Sequence, residues 1–346
     1  MKYPACFHIK VDDFLPASAE EKQSLIIMRE SVSFWQDGFR RLARNKVAMV
    51  SAAVLLVIII LTFIIPLFYP YRYEQQRKGA EYMSPMRYSQ DEQAEIDAGG
   101  KVFPHILGTD SLGRDYAIRV MVGGRISLIV GIVASAIIFF IGSIYGSVSA
   151  FFGGRVDNIM MRIVDIIYTI PDILMIVLIA FALKTPLQEL SQRASFAWLN
   201  TLGVNLISIF IVFALLYWVG MARIVRSQIL SLKETDYVMA ARALGASSGR
   251  IIRKHLLTNC IGILIITTTL QIPVSIFTES FLSFLGLGVS APMPSLGSLA
   301  SAAINGIYTY PFLLLAPALL IALIILSFNL LGDGLRDAFD PKLKQG

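Results

Sequence analysis

Charged residues are scarce in this chain. Of its 346 residues, 16% are Asp, Glu, Lys or Arg, whereas soluble domains average about 25%. Apolar residues, counted as Ala, Val, Ile, Leu, Met, Phe, Trp, Tyr and Cys, make up 55%. This balance excludes a disordered chain and an ordinary soluble enzyme. It indicates that lipid is the solvent for much of the chain.

Cysteine and histidine are also scarce. The two cysteines, Cys6 and Cys260, are far apart in the sequence and are expected to be reduced thiols. The three histidines share no metal-ligand spacing, and neither a G-x-x-x-x-G-K-[ST] phosphate loop nor an H-E-x-x-H pair occurs. The sequence therefore predicts no disulfide, no metal site and no ATP hydrolysis by this chain itself.

The apolar residues are gathered into six long segments. Residues 47–68 contain no charge, and a helix of that length measures about 33 Å, enough for a hydrocarbon core of about 30 Å. The third segment carries Arg162, Asp165 and Asp172, and Pro171 can kink it. We therefore predict an all-α membrane protein whose spans are 47–68, 126–152, 156–183, 198–221, 261–285 and 312–331. In the second span, Gly142 and Gly146 form a G-x-x-x-G step that allows close helix packing.

The basic residues predict the orientation of these spans. Four of them, at positions 40, 41, 44 and 46, precede the first span, and residues 222–260 carry seven basic residues against two acidic ones. The long polar segment 69–125 carries eight of each sign. Because basic loops favour the cytoplasm, we expect residues 1–46 and the tail 332–346 inside and residues 69–125 outside. The net charge of +6 then marks the cytoplasmic side, and no nucleic-acid partner is expected.

A short amphipathic pattern precedes the first span. Phe34, Trp35, Phe39 and Leu42 recur at helical spacing beside the basic residues. The pattern is typical of a helix that lies on the membrane surface, and a solvated basic linker is the alternative.

The segment 222–260 is too long for a simple connection between packed helices. Thr235 or Asp236 can cap a helix that runs through Leu244, and Gly245 can take the left-handed conformation that ends it. Tyr237, Ala241 and Leu244 would share one face of this helix. It could insert into a groove of a partner or pack on its own bundle, and the pattern alone leaves both open.

Five stretches of the sequence carry recognisable signatures. They are Met239-Ala240-Ala241 followed by Gly245, and the stretches HILGTDSLGRD (105–115), GRISL (124–128), ESFLSFLGLG (279–288) and GDGLRDAFDP (332–341). Over residues 35–346 the chain resembles the C-type permease subunits of the dipeptide, oligopeptide and nickel group of binding-protein-dependent ABC importers. In two places it departs from that pattern, with Met239 at the position of a glutamate and Thr258 at the position of a proline.

The resemblance implies a fold, a function and partners. The fold would be that of a type I importer permease, with a five-helix core at 126–331 and a cytoplasmic coupling helix. The chain would move di- or oligopeptides inward; nickel complexes, glutathione or another small solute are the alternatives. It would be no enzyme and would hold no cofactor, because two partner ATPase subunits would bind ATP. A homologous B-type permease, an extracytoplasmic solute-binding protein and membrane lipid complete the expected partners.

The resemblance also implies which residues act. Those that would meet an ATPase groove are Asp236, Tyr237, Met239, Ala240, Ala241, Leu244 and Gly245. Acidic residues inside a membrane are costly and often functional, so Glu279, Asp165 and Asp172 are candidates for the substrate pathway. For Glu279 a structural pair or hydrogen bond is the alternative. An ion-coupled secondary transporter is the rival class, but spans one to three show no repeat in spans four to six.

Overall fold

The computed structural model describes residues 33–193, 196, 199, 203–289 and 292–339. Within these ranges the regular elements are helices, accompanied by two isolated β-bridges, Arg87–His105 and Thr109–Asp115. The predictions for residues 1–32, which include Cys6, and for the end of the tail at 340–346 lie outside the described residues. The all-α prediction is confirmed.

Six of the helices are long and apolar enough to cross a membrane, as predicted. In chain order they are named the first to the sixth span, and they comprise Lys46–Phe68, Tyr116–Phe152, Asp172–Ser191, Val204–Leu232, Ile261–Phe284 and Phe312–Phe339.

The third span differs from the prediction of one helix over 156–183. The chain instead forms a helix over Gly154–Thr169 and a separate span over Asp172–Ser191. Between them Ile170 is extended, with ψ of 134°, because the ring of Pro171 excludes the helical conformation at the residue before it. The proline therefore breaks the helix where a kink was expected.

Three other spans are longer than predicted, and in the second and fourth spans charged residues of the added part find partners. The second span begins at Tyr116, not at 126, and Asp115 caps it by accepting the Ile118 N–H at 2.9 Å. The fourth span continues past 221 to Leu232, and its predicted start at 198 falls outside the described residues. The sixth span continues past 331 to Phe339. Hydropathy alone ends a span at its first charge, whereas a paired charge can stay in the helix.

The second span is the centre of the bundle and packs against the fourth and fifth spans. A Cβ atom added to Gly142 would lie 2.6 Å from the Cβ of Met221, and one added to Gly146 would lie 2.3 Å from the carbonyl oxygen of Ala222. The close approach predicted from the G-x-x-x-G step is thus confirmed, and the partner is the fourth span.

The two ends of the bundle carry different elements. One end carries residues 34 and 339 and is called the terminal face. There the helix Phe34–Arg44 packs on the end of the sixth span, and the rings of Trp35 and Phe339 are 5.6 Å apart. The amphipathic pattern thus forms the predicted helix, while its place on a membrane surface stays a prediction. At the opposite face lie the segment 69–115 and two short helices, Gln90–Asp97 and Leu296–Ala303.

A buried polar network folds the segment 69–115. His105 Nδ1 lies 2.7 Å from Asp115 Oδ2, and His105 Nε2 lies 3.2 Å from Glu92 Oε1. Tyr71 stacks on the imidazole ring at 4.5 Å, and burial, followed by the charge of Glu92, raises the pKa of Tyr71 to about 12. Because Asp115 also caps the second span, this network fixes the segment directly to that helix.

Candidate functional site

A short exposed helix, Asp236–Ala243, follows the fourth span at the terminal face. Its end has the hydrogen bonds of a Schellman motif: Ala246 N–H donates to the Ala241 carbonyl at 3.0 Å and Gly245 N–H to the Arg242 carbonyl at 2.9 Å. Gly245 has φ of +77°, a conformation that a residue with a Cβ adopts only at a cost. The helix and its glycine stop are therefore confirmed.

One face of the exposed helix is fixed to the bundle and the other is free of it. Val238 is fully buried in the core, and Ala241 packs against the same core. Leu244, Met239 and Tyr237 are 89%, 52% and 40% exposed. The grouping expected from the sequence placed Ala241 with the outward residues, whereas the structure turns it inward beside Val238.

The remaining members of the predicted set also lie on the surface. Asp236, Ala240 and Gly245 are exposed. Tyr237 is held from one side, because Asn259 Nδ2 donates to its hydroxyl at 3.1 Å. Apolar side chains surrounding a thin, alanine-rich helix make a surface suited to a groove in another protein.

The exposed helix is tied to the end of the second span. The guanidinium carbon of Arg242 lies 5.0 Å from the centre of the Phe151 ring, and Lys233 Nζ donates to the Ala150 carbonyl at 3.3 Å. A displacement of the exposed helix would therefore act on the second span directly.

A charged clamp joins the fourth span to the helix Gly154–Thr169. Arg226 Nε and Nη2 each donate to Asp157 at 2.6 Å, and the Ser149 hydroxyl donates to Asp157 Oδ1 at 2.6 Å. Such bidentate pairs are strong and geometrically specific. Sequence reasoning missed this clamp, since Asp157 and Arg226 are 69 positions apart and form no motif.

The three predicted pathway carboxylates lie in different environments. Glu279 is fully buried between the second and fifth spans, where it accepts hydrogen bonds from Ser127 at 2.8 Å, Ser283 at 2.7 Å and Ser280 at 3.3 Å. Asp165 is exposed and pairs with Arg223 at 2.7 Å. The structure does not bring these two carboxylates together in one site.

Asp172 lines a cavity of about 480 Å³. The cavity opens where Pro171 breaks the helix, and Tyr168, Met175, Tyr217 and Gly220 form part of its wall. A π-helical turn at Phe213–Tyr217 turns Tyr217 so that its hydroxyl lies 3.0 Å from Thr278 Oγ1. A carboxylate, phenol groups and apolar walls can accommodate a molecule that is cationic at one end.

The six candidate spans define the class: a helical membrane protein that crosses the membrane several times and carries a short exposed helix on one face. Residues 138–345 match the family described as the binding-protein-dependent transport system inner membrane component. Residues 33–85 match the N-terminal transmembrane domain of oligopeptide transport permease C. The chain belongs to this family of binding-protein-dependent permeases.

Curated relatives match over nearly the whole length. The oligopeptide transport system permease protein OppC of Bacillus subtilis is 39% identical over 332 residues, covering 96% of this chain and 97% of the relative. The dipeptide transport system permease protein DppC of the same organism is 39% identical over 341 residues, covering 98% and 96%. The OppC protein of Escherichia coli is 36% identical over 313 residues, covering 90% and 93%. As a permease subunit of this family the chain is a multi-pass inner-membrane protein without a cofactor, and the ATPase activity lies in partner subunits.

Proposed function

We propose that this chain is the C-type permease subunit of an importer that moves di- or oligopeptides into the cell. The names of its relatives support peptides as the cargo. The observation that carries the proposal is the exposed helix Asp236–Ala243, which is anchored by the buried Val238 and turns Met239 and Leu244 outward. An anchored helix with an exposed apolar face suits a groove on an ATPase subunit.

The same proposal assigns the two faces of the bundle. The terminal face is cytoplasmic and meets two ATPase subunits, and the excess of basic residues in 222–260 supports this orientation. The opposite face meets the solute-binding protein. A homologous B-type permease and lipid cover the sides, which agrees with the third span, where 11% of the most apolar window is buried within the chain.

The motion that couples ATP binding to transport would begin at the exposed helix. ATP binding closes the ATPase subunits and moves Asp236, Tyr237, Met239, Ala240, Leu244 and Gly245 with their groove, while Ala241 holds the inner side. The contacts of Arg242 with Phe151 and of Lys233 with Ala150 pass the motion to the second span. Two arrangements of the bundle, each favoured by one ligand, then couple ATP binding to solute delivery.

We assign the substrate pathway to the cavity beside Asp172, whose carboxylate suits the amino group of a peptide. Asp165, which pairs with Arg223, does not line this cavity, and the hydrogen bonds of Glu279 favour a structural role for that residue. In Asp172→Asn, the KM for peptides with a free amino terminus should rise about 10-fold, the effect of one charge-assisted hydrogen bond. Transport of N-acetylated peptides should change little, and Asp165→Asn is the matched control. An equal loss for both kinds of peptide would contradict the assignment.

The cargo is tested with the whole assembly in proteoliposomes. With the partner permease, both ATPases and the cognate binding protein present, labelled peptides of different lengths should enter only with ATP, and unlabelled peptides should compete. If only glutathione or nickel complexes competed, the cargo would be that solute and not a peptide. Uptake by this chain alone, driven by an ion gradient, would contradict the importer itself.

A further inference from the structure

A small polar cavity lies at the opposite face, away from the cavity beside Asp172. It holds about 40 Å³ between the segment 69–115, the start of the second span and the helix Leu296–Ala303. Asp110, Ser111, Arg114 and Arg119 line one side, and Leu299, Ala303 and Leu313 are among the apolar residues of the wall. The described linings of the two cavities share no residue.

The charges around this cavity do not balance. Arg114 Nε donates to Asp110 Oδ2 at 2.7 Å, and Arg119 Nε lies 3.3 Å from the same oxygen. The other oxygen, Oδ1, already accepts the N–H groups of Leu112 and Arg114. One carboxylate thus faces two guanidinium groups, so these three side chains together carry one net positive charge.

The extra charge resides on a guanidinium with unused donors. Arg119 is 8% exposed, and within the described part of the chain its buried Nε and Nη1 atoms donate no hydrogen bond. Buried donors are normally hydrogen-bonded, because a buried donor without an acceptor is costly. The planar donors of arginine match the two oxygens of a carboxylate with two parallel hydrogen bonds.

The mouth of the cavity lies on exposed protein surface. Ser111 and Ala302 are exposed beside it. The helix Leu296–Ala303 continues into Ile304, Ile307 and Tyr308, of which Tyr308 is 99% exposed. A volume that admits one carboxylate, next to outward-facing apolar side chains, fits a protein partner better than a free peptide.

We propose that the Arg119 cavity receives an acidic side chain of the extracytoplasmic solute-binding protein, which pairs with the Arg119 guanidinium. The inference rests on the proposed function, because it requires that a binding protein docks at the opposite face. It adds the chemical group that this face recognises and the residue that recognises it.

The test uses the complete transporter in nanodiscs and the purified, peptide-free cognate binding protein. Arg119→Met should weaken binding of that protein roughly 10-fold to 100-fold, the effect of a lost charge-assisted pair. The melting temperature of the transporter should stay the same or rise, because the variant leaves Asp110 paired with Arg114 alone.

Arg114→Met is the matched control and should lower the melting temperature, because Asp110 then loses its short hydrogen bond. Arg119→Lys should restore part of the affinity.

Other outcomes would overturn the proposal. Unchanged binding by Arg119→Met would mean that the cavity holds only water. A lower melting temperature for Arg119→Met would assign the guanidinium a structural role. The measurement is repeated with the binding protein loaded with peptide; a loss of affinity only in that form, and only with peptides that have a free, not amidated, carboxyl terminus, would assign the site to the cargo. If the wild-type transporter bound no binding protein, the proposed function would fail together with this inference, whereas failure of Arg119→Met alone would leave the proposed function intact.

Discussion

Glu279 shows how a carboxylate is held inside the helix bundle. An acidic residue at mid-bilayer costs roughly 2.5–3.5 kcal/mol on insertion scales. The three serine hydroxyls that donate to Glu279 offset that cost and join the second span, through Ser127, to the fifth. At the scale of the residue, this carboxylate is a link between helices.

The substitution Glu279→Gln tests that link. The amide has one acceptor oxygen where the carboxylate has two, so Ser127 or Ser283 loses its acceptor. The free energy of unfolding should fall by about 1–3 kcal/mol, measured by denaturation of the purified transporter in detergent. Transport per folded subunit should keep its selectivity. Glu189→Gln, at an exposed position, is the control and should change neither quantity. Altered selectivity at equal folded levels would instead place Glu279 on the pathway.

Part of this environment could be predicted from the sequence. Ser283 lies four positions after Glu279 and therefore on the same helix face. Ser127 is 152 positions away, and only the packing of the second span on the fifth brings it near. The same limit applies to Asp157 and Arg226, since charge patterns identify residues that need partners but not the partners themselves.

At the scale of the element, the end of a helix was predicted better where a residue in the sequence marks it. Gly245 gave the end of the exposed helix correctly, whereas Pro171 was expected to kink one span over 156–183 and instead separates two helices. The inward face of the exposed helix was not predictable, because helical spacing groups residues into faces without showing which face meets the bundle. Val238, fully buried, was therefore overlooked.

The clamp between Asp157 and Arg226 should hold the fourth span against the helix Gly154–Thr169. Asp157→Asn removes the charge from a nearly buried pair and should lower the free energy of unfolding by about 1–3 kcal/mol. Asp165→Asn is the control, because its pair with Arg223 is exposed and such pairs contribute about 0–1 kcal/mol. Thermal denaturation of the two variants in detergent measures both effects. Equal losses would show that Asp157 has no special role.

The segment 69–115 should lose order in acid. Burial alone would raise the pKa of Glu92, but hydrogen bonds from Ser89 and the charges of His105 and Arg77 hold that pKa below its ordinary value of 4.5. A carboxylate whose pKa is lowered in the folded state stabilises that state at pH values above its ordinary pKa. This stabilisation is lost as the pH falls through the lowered pKa. Hydrogen exchange of residues 87–115 should therefore accelerate below about pH 4.5. In Glu92→Gln, exchange should be faster at neutral pH and less dependent on acid; an unchanged pH profile would contradict this.

At the scale of the whole molecule, the second span connects the two faces of the bundle. Its 37 residues form a helix about 55 Å long. One end is capped by Asp115, which belongs to the network of the segment 69–115, and the other end carries Phe151 and Ala150, which contact Arg242 and Lys233. Events at the exposed helix and at the opposite face therefore act on the same rigid element.

The most direct test of the account is transport by Gly245→Val. Valine at φ of +77° is strained by at least about 1–2 kcal/mol, which should displace the end of the exposed helix without touching the bundle. Gly249→Val is the matched control, because an added Cβ meets open space at both positions and only Gly245 has a positive φ. We predict that both variants reach the membrane at wild-type levels, and that ATP-driven peptide uptake is lost in Gly245→Val and kept in Gly249→Val. Wild-type uptake by Gly245→Val at equal subunit levels would contradict the proposal that this helix couples the ATPase to transport.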